Sequence, residues 1–272
     1  MLRLGYRRSG TVSDVAPERF VMMKRDSLNR RQMSGLIAGV TLLLAGVAAP
    51  AQAQVVQVNR GDAKHSVGFN LGYFAVKGED SRVDDDVLLA DLDDLAFDIG
   101  DFSGFTFGGE WLFGIGDFIE TGVGLGYYQK SVPSVYRDFV DIDGTEIVQD
   151  LKLRVVPITA TVRFLPIGRA AAVQPYVGAG IGIFPWRYTE TGEFVDFSDG
   201  SIFRDRYEAD GTAFGPVVLG GLRFPIGDAM TTGVEFRWQK AEGDTKPEES
   251  RMLAPKIDLG GWTTSWNFHF RF

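Results

Sequence analysis

The chain has 272 residues, 44% of them hydrophobic, no cysteine and a formal net charge of −8. Without a thiol there is neither a disulfide framework nor a thiolate metal site, and an acidic chain lacks the basic surface that a nucleic-acid backbone requires. The length after any leader suffices for one large domain.

In chain order, the first feature is an export signal. Lys24, Arg25, Arg30 and Arg31 precede an apolar run from Leu36 to Ala49, followed by Ala51-Gln52-Ala53, the three parts of a secretory leader. An apolar core of roughly 14 residues is short of the roughly 20 that a spanning helix needs. The pattern predicts an N-terminal extension and cleaved signal over residues 1–53, with Gln54 as the mature N-terminus and a barrel domain over 54–272. The Arg30-Arg31 pair reads as part of an ordinary basic region, because the twin-arginine route carries folded cargo. Met22, Met23 or Met33 are alternative starts. Cleavage removes eight basic and three acidic residues and leaves the mature part at −13, with much of the acid between the predicted strands.

Beyond the leader no run of 18 apolar residues occurs; what recurs is alternation with period two, the signature of strands with two different faces. The first strand lies in 65–76, with Val67, Phe69, Leu71 and Tyr73 opposite Gly68, Asn70 and Gly72. The second lies in 104–113, the third carries Ile119, Val123, Leu125 and Tyr127, and the fourth carries Val156, Ile158, Ala160, Val162 and Phe164. Segments 175–187, 213–224, 230–239 and 258–272 bring the count to eight. In the last, Trp262, Trp266, Phe268, Phe270 and Phe272 share one face against Ser265, Asn267, His269 and Arg271.

Phe113-Gly-Ile-Gly-Asp117, Phe164-Leu-Pro-Ile-Gly-Arg169 and Phe224-Pro-Ile-Gly-Asp228 are variants of one turn, so each repeat is two strands joined by a long connection. The connections at about 77–100, 131–150, 189–211 and 240–257 then lie together at the opposite end. They read as long acidic loops, the first with Asp84, Asp85, Asp86, Asp91, Asp93 and Asp94.

Alternation also fits a soluble lipocalin-like ligand carrier, with its apolar face turned inward. The second face decides: it is rich in Gly with Thr and scattered Glu and Arg, which suits a cramped lumen, whereas a solvated wall would carry Lys. The reading is all-β, an eight-stranded antiparallel up-and-down transmembrane barrel. The leader, Pro175-Tyr-Val-Gly-Ala-Gly-Ile-Gly182, Gly233-Val-Glu-Phe-Arg-Trp238 and the terminal Phe272 resemble the small outer-membrane barrel families of the OmpA, OmpX and OmpW type, over about residues 63–272. That resemblance implies integral outer-membrane location, lipid as solvent and insertion by the outer-membrane assembly machinery, with Phe268, Phe270 and Phe272 as the assembly signal. A peptidoglycan-binding domain of the OmpA kind is not expected after the last strand.

Chemistry-bearing residues on the lumen face are Glu110, Glu120, Arg163, Arg223, Glu235, Arg237 and Arg271, expected to form a buried charge network that plugs the barrel, with Glu110 and Glu120 facing each other across an arginine. Only His65 and His269 could serve as a base, and neither has a Ser/Asp motif around it, so no catalytic residue, cofactor or metal site is expected. The Asp-rich first connection lacks the spacing of a dedicated Ca²⁺ loop and reads as solvated. Tyr136, Phe139, Phe194, Phe203 and Tyr207 read as packing between connections, Phe197 with them, or as contact points for an extracellular partner. The expected function is a structural or surface-interaction role. The alternative is a narrow pore or passive channel for small, even apolar, solutes, with Pro157, Pro175 and Pro216 marking sideways openings.

Overall fold

The structure, a computed structural model, describes residues 64–272, so the predicted extension and signal lie outside the described residues. The elements in order are β1 (His65–Val76), α1 (Val87–Asp94), β2 (Gly104–Ile115), β3 (Ile119–Val140), β4 (Glu146–Val155), β5 (Ile158–Phe164), β6 (Gln174–Val195) and β7 (Ile202–Ile226). They are followed by β8 (Met230–Gln239), β9 (Glu242–Asp244), α2 (Pro247–Ser250), β10 (Lys256–Asp258) and β11 (Gly261–Arg271).

Sequential antiparallel pairing runs around a ring. β1 pairs with β2 on one side and with β11 on the other, where Ser66 opposes Arg271 and Val76 opposes Gly261. β4 and β5 together make one wall of the ring. On β3, Tyr128 opposes Val155 and Leu125 opposes Ile158, and on β6, Trp186 opposes Val155 and Ile183 opposes Ile158, an unbroken register on both flanks. What separates them is Val156-Pro157, since proline has no N–H to give the ladder. Counted that way the ring has eight strands, and no edge is left for lipid to face.

The repeated turns lie at one end, and in each the glycine before the final charged residue, Gly116, Gly168 or Gly227, has a φ of 68°, 79° or 66°. Only glycine takes that left-handed conformation without steric cost, which explains why the turn is written three times with glycine there. Both termini of the ring share this end, where the His65 and Phe272 backbones exchange hydrogen bonds of 2.9 and 3.2 Å.

Side-chain direction follows the alternation. Val67, Phe69, Leu71, Val123, Leu125, Ile181, Trp266 and Phe270 stand exposed on the outer wall, as a lipid-facing band requires. The soluble-carrier reading is thereby excluded, because its apolar face would be the inner one.

At the other end the structure corrects the expected loops. Segments 131–150 and 189–211 are mostly strand: β3 and β4 turn only at 141–145, and β6 and β7 only at 196–201. These strands climb past the rest because their inward positions stay apolar, with Val132, Ile147, Leu151, Leu153, Trp186 and Tyr188 all buried. The first connection is not a solvated acidic loop either. Its α1 drops into the mouth of the ring, Val87 and Leu88 are fully buried, and Phe97, Ile99 and Phe102 follow them against Phe74, Tyr128 and Leu259. Tyr136 and Phe194 are buried in the same upper region and Tyr207 is partly so, with Tyr136 against Phe139 and Phe194 between Phe203 and Tyr207.

Candidate lumen site

Below this apolar cap, the lumen is filled by ions. Arg163 on β5 is fully buried and its guanidinium spans two carboxylates, donating to both oxygens of Glu110 on β2 and, at 3.0 Å, to Glu235 on β8. Arg223 on β7 makes a bidentate pair with Glu120 on β3 at 3.1 and 3.0 Å, and Arg169 adds a third bond to Glu120 at 3.1 Å. Arg237 donates to the second oxygen of Glu235 at 2.8 Å.

Tyr176 knits the two clusters together, and His269, Arg271 and Gln174 extend them. Tyr176 on β6 lies with the Arg163 and Arg223 guanidinium carbons each 5.2 Å from its ring centre, and its hydroxyl donates to Glu235 at 3.1 Å. His269 on β11 places Nε2 2.7 Å from Glu110, and Arg271 donates to Gln174 at 2.7 Å. Bidentate pairing and cation–π contact are the geometries in which a desolvated guanidinium is best compensated.

Of the residues expected on the lumen face, the structure brings Glu110, Arg163, Glu235 and Arg237 into one cluster and Glu120 and Arg223 into another, with Arg271 bonded to Gln174. Glu110 and Glu120 do not share an arginine, however. β2–β3 register sets Glu110 opposite Gly124 and Glu120 opposite Gly114, so the two acids sit at different depths and each takes its own arginine. Arg271 joins through an amide rather than a carboxylate among the bonds described above. Sequence reading missed Arg169, Tyr176 and Gln174, and weighed His269 only as a catalytic base. Arg169 did leave a signal: it stands in the second turn variant where the other two have Asp117 and Asp228. For Tyr176 the signal was glycine. A Cβ on Gly221, its partner across the ladder, would stand 2.6 Å from the Tyr176 hydroxyl, so the missing side chain is the space the ring occupies.

Between the ion clusters and the cap lies a cavity of about 30 Å³, lined by Asn70, Glu110, Gly126, Pro157, Arg237 and Gln239 among others, room for about one water. The cap is fastened from above. Asp86 pairs with Arg82 and accepts the Asp258 N–H at 2.8 Å, while Asp258 accepts from Lys77 at 2.7 Å and from the Val83 N–H at 3.1 Å. The Tyr188 hydroxyl donates to the buried Asp91 at 2.7 Å. Burial raises the Asp86 carboxyl above its usual range, against the opposing pull of Arg82.

The prolines offer no sideways gap. Gly126 donates to the Pro157 carbonyl at 2.7 Å and Val156 to that of Pro185 at 2.9 Å, Pro175 stays in register with Leu222, and Pro216 with Ile181. His65 lies among rings, its own stacked on Trp111 and Phe272. Among the described residues no group of three or more His, Cys, Asp or Glu is arranged to hold a metal ion.

A family model described as the outer membrane protein beta-barrel domain matches residues 39–270. No curated protein matches the chain. Solved structures do. The outer membrane protein OprG from Pseudomonas aeruginosa is 11% identical, covering 78% of this chain and 98% of its own, with a TM-score of 0.45. Neisserial surface protein A (NspA) is 13% identical over 77% and 97%, at 0.41. The N-terminal β-barrel domain of OprF from Pseudomonas aeruginosa is 11% identical over 77% and 98%, at 0.35.

Proposed function

The chain belongs to the outer membrane protein β-barrel domain family and is an integral outer-membrane protein, and on that premise we propose that it works as a closed, non-catalytic barrel that carries a rigid folded platform at the cell surface. The observation that carries this reading is the stacking of two different fillings in one lumen. Buried ion pairs occupy the turn end, the apolar core around α1 occupies the other, and about 30 Å³ lies between. A hydrated ion has no path through either layer without breaking a buried pair or wetting an apolar core.

Planar-bilayer recording of the folded protein tests it. The expected trace shows no steady current above the bare bilayer; reproducible unitary openings would replace this reading with the narrow pore. Binding of an extracellular partner, rather than passage of a solute, is the role left for the tall hairpins β3–β4 and β6–β7. Residues 1–53 are proposed as the removed export segment. The mass of the protein recovered from outer membranes is expected to begin at Gln54, and a retained Leu36–Ala49 run would refute that boundary.

A further inference from the structure

The outer wall carries a charge arrangement that neither the fold nor the lumen explains. On β5 and the residues before it, the outward side chains from Phe164 back to Val156 are Phe164, Val162, Ala160, Ile158 and Val156, a stretch of nine residues, and the next outward residue is Arg154. On β6 they are Pro175, Val177, Ala179, Ile181, Ile183 and Pro185, a stretch of eleven, and the next is Arg187. About 9–11 residues is the length with which a tilted strand crosses a membrane. Both arginines therefore sit at the first position above the hydrocarbon, at headgroup level on the cell-surface side.

They are also direct cross-strand partners, Arg154 against Arg187, with Lys152 two residues further up the same face. Like charges placed directly opposite destabilise a sheet unless something of the other sign lies between them. The protein supplies only part of that. Arg187 is paired with Glu208 at 2.9 Å and faces Asp210 across the next ladder, and its Nε is buried without a partner. Among the described residues, the ion pairs at this level include Arg187–Glu208 and Arg206–Glu208, and neither Arg154 nor Lys152 takes part in them; Asp150 stands two residues from Lys152 along β4. Gln129 and Thr189, opposite Arg154 and Lys152, close the patch with neutral donors.

We propose that Lys152, Arg154 and Arg187 form a binding site for the phosphate of an outer-leaflet lipid headgroup. Guanidinium forks match phosphate oxygens bidentately, and a headgroup arriving from the adjoining leaflet needs no opening in the barrel. The inference rests on the outer-membrane placement alone and is independent of whether the lumen conducts.

The test compares the protein with R154A/R187A, each folded into phosphatidylcholine nanodiscs containing a minority of bis-phosphorylated lipid A, and counts the lipid A retained by native mass spectrometry. A heat-modifiability gel establishes that the variant is folded, and K64A serves as a control that removes one cation at the opposite end of the barrel. Retention is expected to fall at least about tenfold in the double variant, to stay unchanged in K64A, and to be lost when the lipid A is dephosphorylated. Equal retention by the double variant or of dephosphorylated lipid would overturn the site. Displacement of lipid A by millimolar inorganic phosphate would show a soluble-anion site and overturn the assignment to lipid.

Discussion

At the scale of single residues, burial decides what each charge is worth. Arg163 is fully buried between Glu110 and Glu235, so removing it strands two carboxylates away from water. Arg163→Ala is expected to lower the unfolding free energy by about 3–5 kcal/mol. Arg237, partly exposed and bonded to one of the same acids, should cost about 1 kcal/mol or less when replaced by Ala. Urea unfolding in lipid vesicles compares the two, and equal losses would mean that the pairs do not hold the lumen. Asp86 behaves oppositely to an ordinary paired acid. Burial raises its carboxyl above 3.8, so the docked connection keeps a proton that the released one has lost, and docking weakens as pH rises from 3.8 through the raised value. Protease cleavage of that connection should accelerate over this window, and Asp86→Asn should flatten the slope; an unchanged slope would point to another group.

At the scale of elements, the two faces of a strand respond differently to the same change. A Cβ on Gly221 would meet the Val234 carbonyl at 2.4 Å as well as Tyr176, whereas on the neighbouring Gly220 the nearest atom is 3.5 Å away. Gly221→Ala should lose about 1–3 kcal/mol and Gly220→Ala almost nothing, read as melting temperatures in detergent. For α1, the apolar face is what seats it. Val87→Asp puts a charge at a position with no exposure, so the first connection should become protease-sensitive while the ring keeps its heat-modifiable mobility. If the ring also unfolds, the cap is part of the barrel's stability rather than a docked lid.

At the scale of the whole molecule, an edgeless ring needs every strand, and closure is made by the last one. β11 pairs with β1 over its full length and ends in the alternating Phe268, Phe270 and Phe272. If those aromatics are the assembly signal, Phe272→Ser should leave folding into pure lipid unchanged and reduce the amount found in the outer membrane of cells several-fold. Equal loss in both settings would make Phe272 a packing residue only, consistent with its stacking on His65.

The amino-acid sequence by itself determined the ring and its orientation toward lipid. Period-two alternation and a glycine-marked turn are local signals, and they placed β1 and β8 at their observed bounds. Only the tertiary structure decided who pairs with whom and what fills the mouth. Arg163 meets Glu110 and Glu235 from separations of 53 and 72 residues, which depth and shear around a closed ring set, not spacing along the chain. The first connection carried both Asp84-Asp85-Asp86 and Val87-Leu88-Leu89, and its charge outweighed its apolar run until an apolar inner wall existed to bury it. The wall's own residues, Ile147, Leu151 and Leu153, alternate with Val148, Asp150 and Lys152, a strand pattern hidden by the acids around it.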